Sequence, residues 1–132
     1  MILLDAGIMI AQANKEDSYH ERAMELLALL NENHESLMIT EAVLSEVVTY
    51  IARKRGPEEA AKFARAIIAS VEIEILISSK EDASMALDLL QKYELNSYSD
   101  SLSMAIMESR NIKKIASFDS DFDRNPNIKR IK

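Results

Sequence analysis

Asp5, Glu46, Asp100 and Asp119 are the side chains of this 132-residue chain whose type and placement could do chemistry. They lie in four separate stretches. Asp5 follows the apolar start Met1-Ile2-Leu3-Leu4, and Asp119 closes the apolar run Ile115-Ala116-Ser117-Phe118. Asp100 opens a helical pattern after Tyr98-Ser99, and Glu46 sits among apolar neighbours inside an amphipathic helix. Acids far apart in sequence are normally exposed one by one. When several fall at element ends that a parallel sheet brings together, a shared divalent metal ion is the reason to expect.

Composition removes most other chemistries. The chain has no cysteine, which excludes disulfides, thiol catalysis and thiolate-held metals. Its two glycines, Gly7 and Gly56, are too few and too far apart for a dinucleotide fingerprint or a P-loop. A Ser/His/Asp hydrolase would need His20 or His34. Both lie in or beside a polar helix with no serine motif nearby, and we read both as surface residues. A hydrophobic fraction of 48% with 29% charged residues is that of a soluble globular chain, of a length for one domain over residues 1–132. No stretch approaches the ~20 apolar residues of a membrane span, and Asp5 interrupts the apolar start, so the expected location is cytoplasmic.

Net charge is −6, superficially unsuited to nucleic acid. The acid cluster accounts for most of that excess, and two divalent cations bring −6 to −2. The basic residues gather in knots: Arg53-Lys54-Arg55 with Lys62 and Arg65, and Arg124, Lys129, Arg130 and Lys132 near the end. Each knot is either a solvated helix end or an RNA contact.

The elements that must position the acids follow from periodicity. Residues 1–5 read as a buried strand, Leu37–Ile39 as a second, and Val71–Ile77 as a third that enters the sheet interior. Further strands are expected near Lys114–Phe118 and Ile128–Ile131. Ser18-x-x-Glu21 reads as a capping box that starts a helix with Ala23, Leu26, Leu27 and Leu30 inward. Thr40 caps a helix carrying Val43, Leu44, Val47, Val48 and Ile51. Gly56-Pro57 ends it and starts another, whose buried face is Ala60, Phe63, Ala64, Ile67 and Ile68. Ser79 caps a helix to about Lys92 with Ala83, Ala86, Leu87 and Leu90 inward, and a last helix spans about Ser99 to Arg110. Strands alternating with helices imply a parallel sheet covered on both faces, with ligands beyond the carboxyl ends of its strands.

The acids can also be weighed singly. Asp100 in a first helical turn is favoured as an ion by the helix dipole, but any aspartate there could simply start a helix. Glu46 lies at the margin of an apolar stripe beside Val43 and Tyr50, so we expect it to be partly buried and therefore paired, protonated or bound to a cation. Glu41, one turn earlier, competes for its place. Asp119-Ser120-Asp121-Phe122-Asp123 begins like an EF-hand loop and fails at Arg124 and Arg130, where Gly and Glu are needed. A haloacid-dehalogenase-type phosphatase would want an Asp where Gly7 stands. A receiver-domain phosphoacceptor would want an acidic pair near the first strand and a late Lys, and that set is missing.

Together, Asp5-Ala6-Gly7-Ile8-Met9-Ile10, Leu44-Ser45-Glu46-Val47, Tyr98-Ser99-Asp100-Ser101-Leu102 and Ala116-Ser117-Phe118-Asp119-Ser120-Asp121-Phe122 resemble the four acidic motifs of PIN domains. The resemblance runs through the whole chain in order; each motif is weak alone, and the ordered set is specific. It implies a PIN-like three-layer α/β/α fold with a central, mainly parallel sheet of four to five strands. It further implies a metal-dependent endoribonuclease, the VapC-type toxin of a toxin–antitoxin pair. Carried over residue by residue, Asp5, Glu46, Asp100 and Asp119 are catalytic and bind Mg²⁺ or Mn²⁺, as all-oxygen donors suit. Ser117 matches the family's small hydroxyl residue behind the site. Asp121 either adds to a second metal site or is a solvated loop acid. The partners implied are RNA, a small antitoxin and a second copy in a homodimer. Gly7 departs from the side chain usual in the first motif. It is the ground for the alternative, a catalytically inactive PIN-like protein-binding module; a metal-dependent phosphatase is a third reading.

Overall fold

A computed structural model describes residues 1–132 and shows a five-stranded sheet in the order β3-β2-β1-β4-β5, every neighbouring pair parallel. The strands are β1 (Ile2–Leu4), β2 (Leu37–Thr40), β3 (Ile73–Leu76), β4 (Lys114–Ala116) and β5 (Lys129–Ile131). The helices are α1 (Ala6–Ala13), α2 (His20–Glu32), α3 (Glu41–Arg55), α4 (Pro57–Ala69), α5 (Lys80–Lys92) and α6 (Tyr98–Ser109), with a short 3-10 helix at Ser120–Arg124.

Alternation along the strands explains the three layers. Ile2, Leu4, Ile39 and Ala116 face α1–α4, while Leu3, Met38, Leu76 and Ile115 face α5 and α6. Both faces are covered, so β1 is apolar at every position, and β2 and β4 depart from this only at their ends, with Thr40 and Lys114. Met104 and Met107 of α6 are fully buried core filler, and Ser101–Met107 is buried throughout. No helix is long and apolar enough to cross a membrane.

Several local expectations hold and several need correcting. Thr40 accepts the Val43 N–H at 3.1 Å, and Ser79 and Asp82 form a reciprocal capping box. Ser18 caps nothing: α2 begins at His20 with no side-chain cap, because the turn before it is closed by the Asp17 carboxylate accepting the Tyr19 N–H at 2.8 Å. Helix α1 was not foreseen. Val71–Ile77 does not enter the sheet interior; β3 is an edge strand of four residues, with Val71 and Ile77 exposed beyond its ends. On α4 only Ala60 is buried and Ile68 is exposed, and on α5 the buried apolar pair is Ala86 and Leu89, with Leu87 outward.

The chain runs from β1 outward through β2 to β3, then returns to lay β4 against the other side of β1. This reversal opens a crevice at the carboxyl ends of β1 and β4, where doubly wound sheets bind their ligands.

Candidate active site

Register places the first contacts of the site. Leu4 lies opposite Ala116, and the Asp5 N–H donates to the Ala116 carbonyl at 3.0 Å, so Asp5 and Ser117 leave the sheet side by side. Asp5 is the N-cap of α1: Oδ1 accepts the Ala6 N–H at 2.8 Å and Oδ2 accepts the Ser117 hydroxyl at 2.7 Å. The same Ser117 oxygen accepts the Asp119 N–H at 3.0 Å. One hydroxyl therefore positions two acids. Asp119 in turn caps the 3-10 helix through the Asp121 N–H.

Glu46 comes from α3, after β2, and Asp100 from α6 in the opposite layer, where its N–H is tied to the Ser97 hydroxyl at 3.2 Å. Asp5, Glu46, Asp100 and Asp119 line one cavity of about 530 Å³, together with Gly7, Ile10, Asp17, Tyr19, Ser97 and Phe118. Glu46 is among the lining residues and Glu41 is not. Glu46 is exposed, however, and the expectation of partial burial is corrected: the side chain leaves the apolar stripe for the open side of the cavity. Asp121 is absent from the lining and its carboxylate pairs with Arg124 at 3.0 Å.

No basic residue lines this cavity, although five carboxylates do. The electrostatic result is visible in two acids. Burial pushes the Asp100 carboxyl up to about 7, and the charges of Asp5, Asp119 and Glu46 add to it against the Ser97 hydrogen bond. Burial likewise raises Asp5, opposed by Ser117 and the Ala6 N–H and reinforced by Glu46 and Asp119. Such a pocket has no basic side chain and offers oxygen donors only, the chemistry that suits a hard divalent ion. By charge and donor type the residues fit one. No three of the chain's carboxylates and histidines stand close enough to enclose an ion as arranged, so the acids share a cavity rather than a closed shell.

Size alone would point elsewhere. A hollow of about 710 Å³ opens between α2 and the start of β2 and β3, lined by Met24, Leu27, Val71 and Ile73 among others, and holds none of the four acids. Neither histidine reaches the acid cavity. His20 is half-buried rather than a plain surface residue, with Nδ1 2.7 Å from the Ala11 carbonyl, whereas His34 is exposed. The basic knots divide. Arg124 is spent on the Tyr93 and Glu94 carbonyls and Asp121, and Arg130 on Asp123. Lys54 and Arg55 instead line a hollow of about 500 Å³ with Lys15.

Sequence reasoning missed Ser97, Asp17, Tyr19 and Phe118 as lining residues. Ser97-Tyr98-Ser99-Asp100 is itself a cap signature that could have found Ser97, two residues ahead of the expected helix start. Asp17 was hidden behind the Ser18 box, and Tyr19 and Phe118 meet only in three dimensions.

The PIN domain family matches residues 2–128. Ribonuclease VapC13 of Mycobacterium tuberculosis is 33% identical over 132 residues, covering 99% of each chain. Among solved structures, Mycobacterium tuberculosis VapC20, described as a Sarcin-Ricin loop cleaving toxin, superposes with a TM-score of 0.81 at 26% identity over 93% of each chain. The Rickettsia felis VapBC2 structure, bound to a promoter DNA fragment, shares the fold at a TM-score of 0.74 and 21% identity, covering 99% of this chain and 98% of that one. In sequence and in shape, along nearly its full length, the chain belongs to the PIN domain family, in its VapC branch.

Proposed function

We propose that this chain is a divalent-metal-dependent endoribonuclease acting as the toxin of a toxin–antitoxin pair. The observation that carries the reading is the cavity at the β1/β4 switch, where acids from four separate elements meet with no basic residue beside them. The ribonuclease name of the full-length relative supports the same chemistry.

Asp5, Glu46, Asp100 and Asp119 hold Mg²⁺ or Mn²⁺ in this reading. Bound there, such an ion supplies positive charge to the phosphodiester and lowers the pKa of water at the site. The chain's own groups do the rest. Ser117 donates to the Asp5 carboxylate and accepts the Asp119 backbone N–H, so that the two acids just beyond β1 and β4 are tied to one hydroxyl. Asp100, with its pKa near 7, holds a proton on part of the molecules at neutral pH and gives it up when positive charge arrives. No side-chain nucleophile is required, in keeping with the absence of cysteine and of histidine from the cavity.

A small antitoxin would neutralise the same cavity by offering Arg or Lys to its carboxylates. Exposed apolar residues such as Ile68, Val71 and Leu87 are available for that partner and for a second copy in a homodimer. We place the pair in the cytoplasm, where RNA is available.

The test is cleavage of a structured RNA mixture with Mg²⁺, Mn²⁺ or EDTA by the native chain and by Asp100→Asn. Cutting should require the metal, and the variant should lose at least about a hundredfold, the upper range for groups that only orient metal ligands. Equal cutting in EDTA, or by Asp100→Asn, would end the assignment.

A further inference from the structure

Tyr19 and Phe118 stack face to face, with ring centroids 4.6 Å apart and planes 18° from parallel. Both line the cavity that holds the four acids. Phe118 is anchored: it packs against the core and lies between Ser117 and Asp119, the residues that order the carboxylates. Tyr19 is fixed from the backbone side by the Asp17 carboxylate, yet 53% of its surface is exposed. The result is a flat, uncharged ring held nearly parallel to a half-buried partner and more than half exposed, at a cavity that five carboxylates line. A polyanion approaching those acids finds an uncharged aromatic surface there.

We infer that Tyr19, backed by Phe118, is a stacking platform for a nucleobase next to the cleaved phosphate. Aromatic rings hold bases this way because every base has a π-face, and unpaired bases are the ones available to stack. The substrate is therefore an RNA with at least one unstacked nucleotide beside the cut, in a loop or single strand, and not the interior of a duplex. Tyr19 is a positioning residue in this scheme, since it touches the substrate away from the reacting atoms. The inference rests on the nuclease reading.

A mapped single-stranded RNA that the native protein cuts in Mn²⁺ provides the test. The base is removed at one position at a time on either side of the cut. At one flanking position the abasic substrate should lose about tenfold or more in kcat/KM with the native protein. Tyr19→Ala should lose a similar factor on the intact RNA and nothing further on that abasic RNA, whereas Tyr19→Phe and Tyr19→Trp should restore the native pattern. Quenching of 2-aminopurine at the same position, strong with native protein and Tyr19→Phe and weak with Tyr19→Ala, reports stacking without turnover. If native protein cuts but the Tyr19→Ala and abasic losses simply multiply at every position, the ring only packs its loop and the platform is wrong. If no RNA is cut with any divalent ion and no strand is quenched, the nuclease reading fails and takes the platform with it.

Discussion

Asp5 and Asp82 are both buried, at 9% and 3% exposure, and the fold treats them in opposite ways. Around Asp82, burial pushes the carboxyl up, but the Ser79 N–H, the Arg110 guanidinium and the Ser109 hydroxyl outweigh it and hold the group far below the ordinary aspartate range. Both Asp82 oxygens are occupied: Oδ1 by Ser109 at 2.7 Å and Arg110 at 3.3 Å, Oδ2 by Ser79 and Arg110 at 2.9–3.1 Å. Asp5 receives two hydrogen bonds and no cation, and its carboxyl is raised. Burial alone therefore does not mark a functional acid. What sets Asp5 apart from Asp82 is that the fold gives it no basic side chain.

The contrast can be broken in several places. Asp82→Ala strands Arg110 and removes the staple between α5 and α6, at a cost of about 3 kcal/mol in urea unfolding. Metal-dependent cleavage per folded molecule should be unchanged, and a larger loss there would erase the distinction between the two sites. Ser117→Ala should leave the fold intact and weaken Mn²⁺ binding about ten- to hundredfold by calorimetry. An unchanged affinity would mean that the backbone alone holds Asp5.

Proton linkage separates the two sites by pH. Asp100 has its folded pKa raised from 3.8 to about 7, so its favourable contribution is complete below 3.8 and is lost as pH rises through 7. Metal-free protein should melt lower at pH 8 than at pH 5.5, by roughly 4 °C if screening leaves about 1 kcal/mol, and Mg²⁺ should remove the difference. Asp82 has its folded pKa lowered from 3.8, so its contribution is present above that value and fades as pH falls below it. An acid arm that Asp82→Ala flattens and Asp100→Asn does not would sharpen the assignment. The smallest effect belongs to Gly7. A Cβ there would meet only the Asp5 Oδ2 at 3.5 Å, an ordinary contact, so Gly7→Ala should be tolerated and stabilise α1 by up to about 1 kcal/mol. Reduced stability or activity in that variant would show that the site depends on the bare backbone.

The large features were legible because they have local causes. Continuous apolar strands, the Thr40 and Ser79 caps and the order of the four acids were enough to reach a parallel three-layer fold and to name residues that do share a cavity. The errors have local causes too. Ala6–Ala13 carries no polar face, so α1 lacks the amphipathic rhythm by which helices are found, and its cap, Asp5, had already been assigned to metal. Glu46 sits at a stripe margin, where a long side chain can turn either way, and it turns outward. Arg110 reaches Asp82 across 28 residues and Phe118 reaches Tyr19 across most of the chain, pairings that no periodicity encodes.

The return of β4 to the flank of β1 also sets a schedule. Asp5 is made before all six helices, but the hydroxyl that orients it and the acid that joins it lie at positions 117 and 119, beyond them. The central strand must wait for a neighbour separated from it by more than a hundred residues. A growing chain can lay down β1, β2 and β3 and still present only part of the cavity. A chain built in this order cannot close its acidic cavity until β4 has been made and laid against β1, so the site arises in one late step rather than piece by piece.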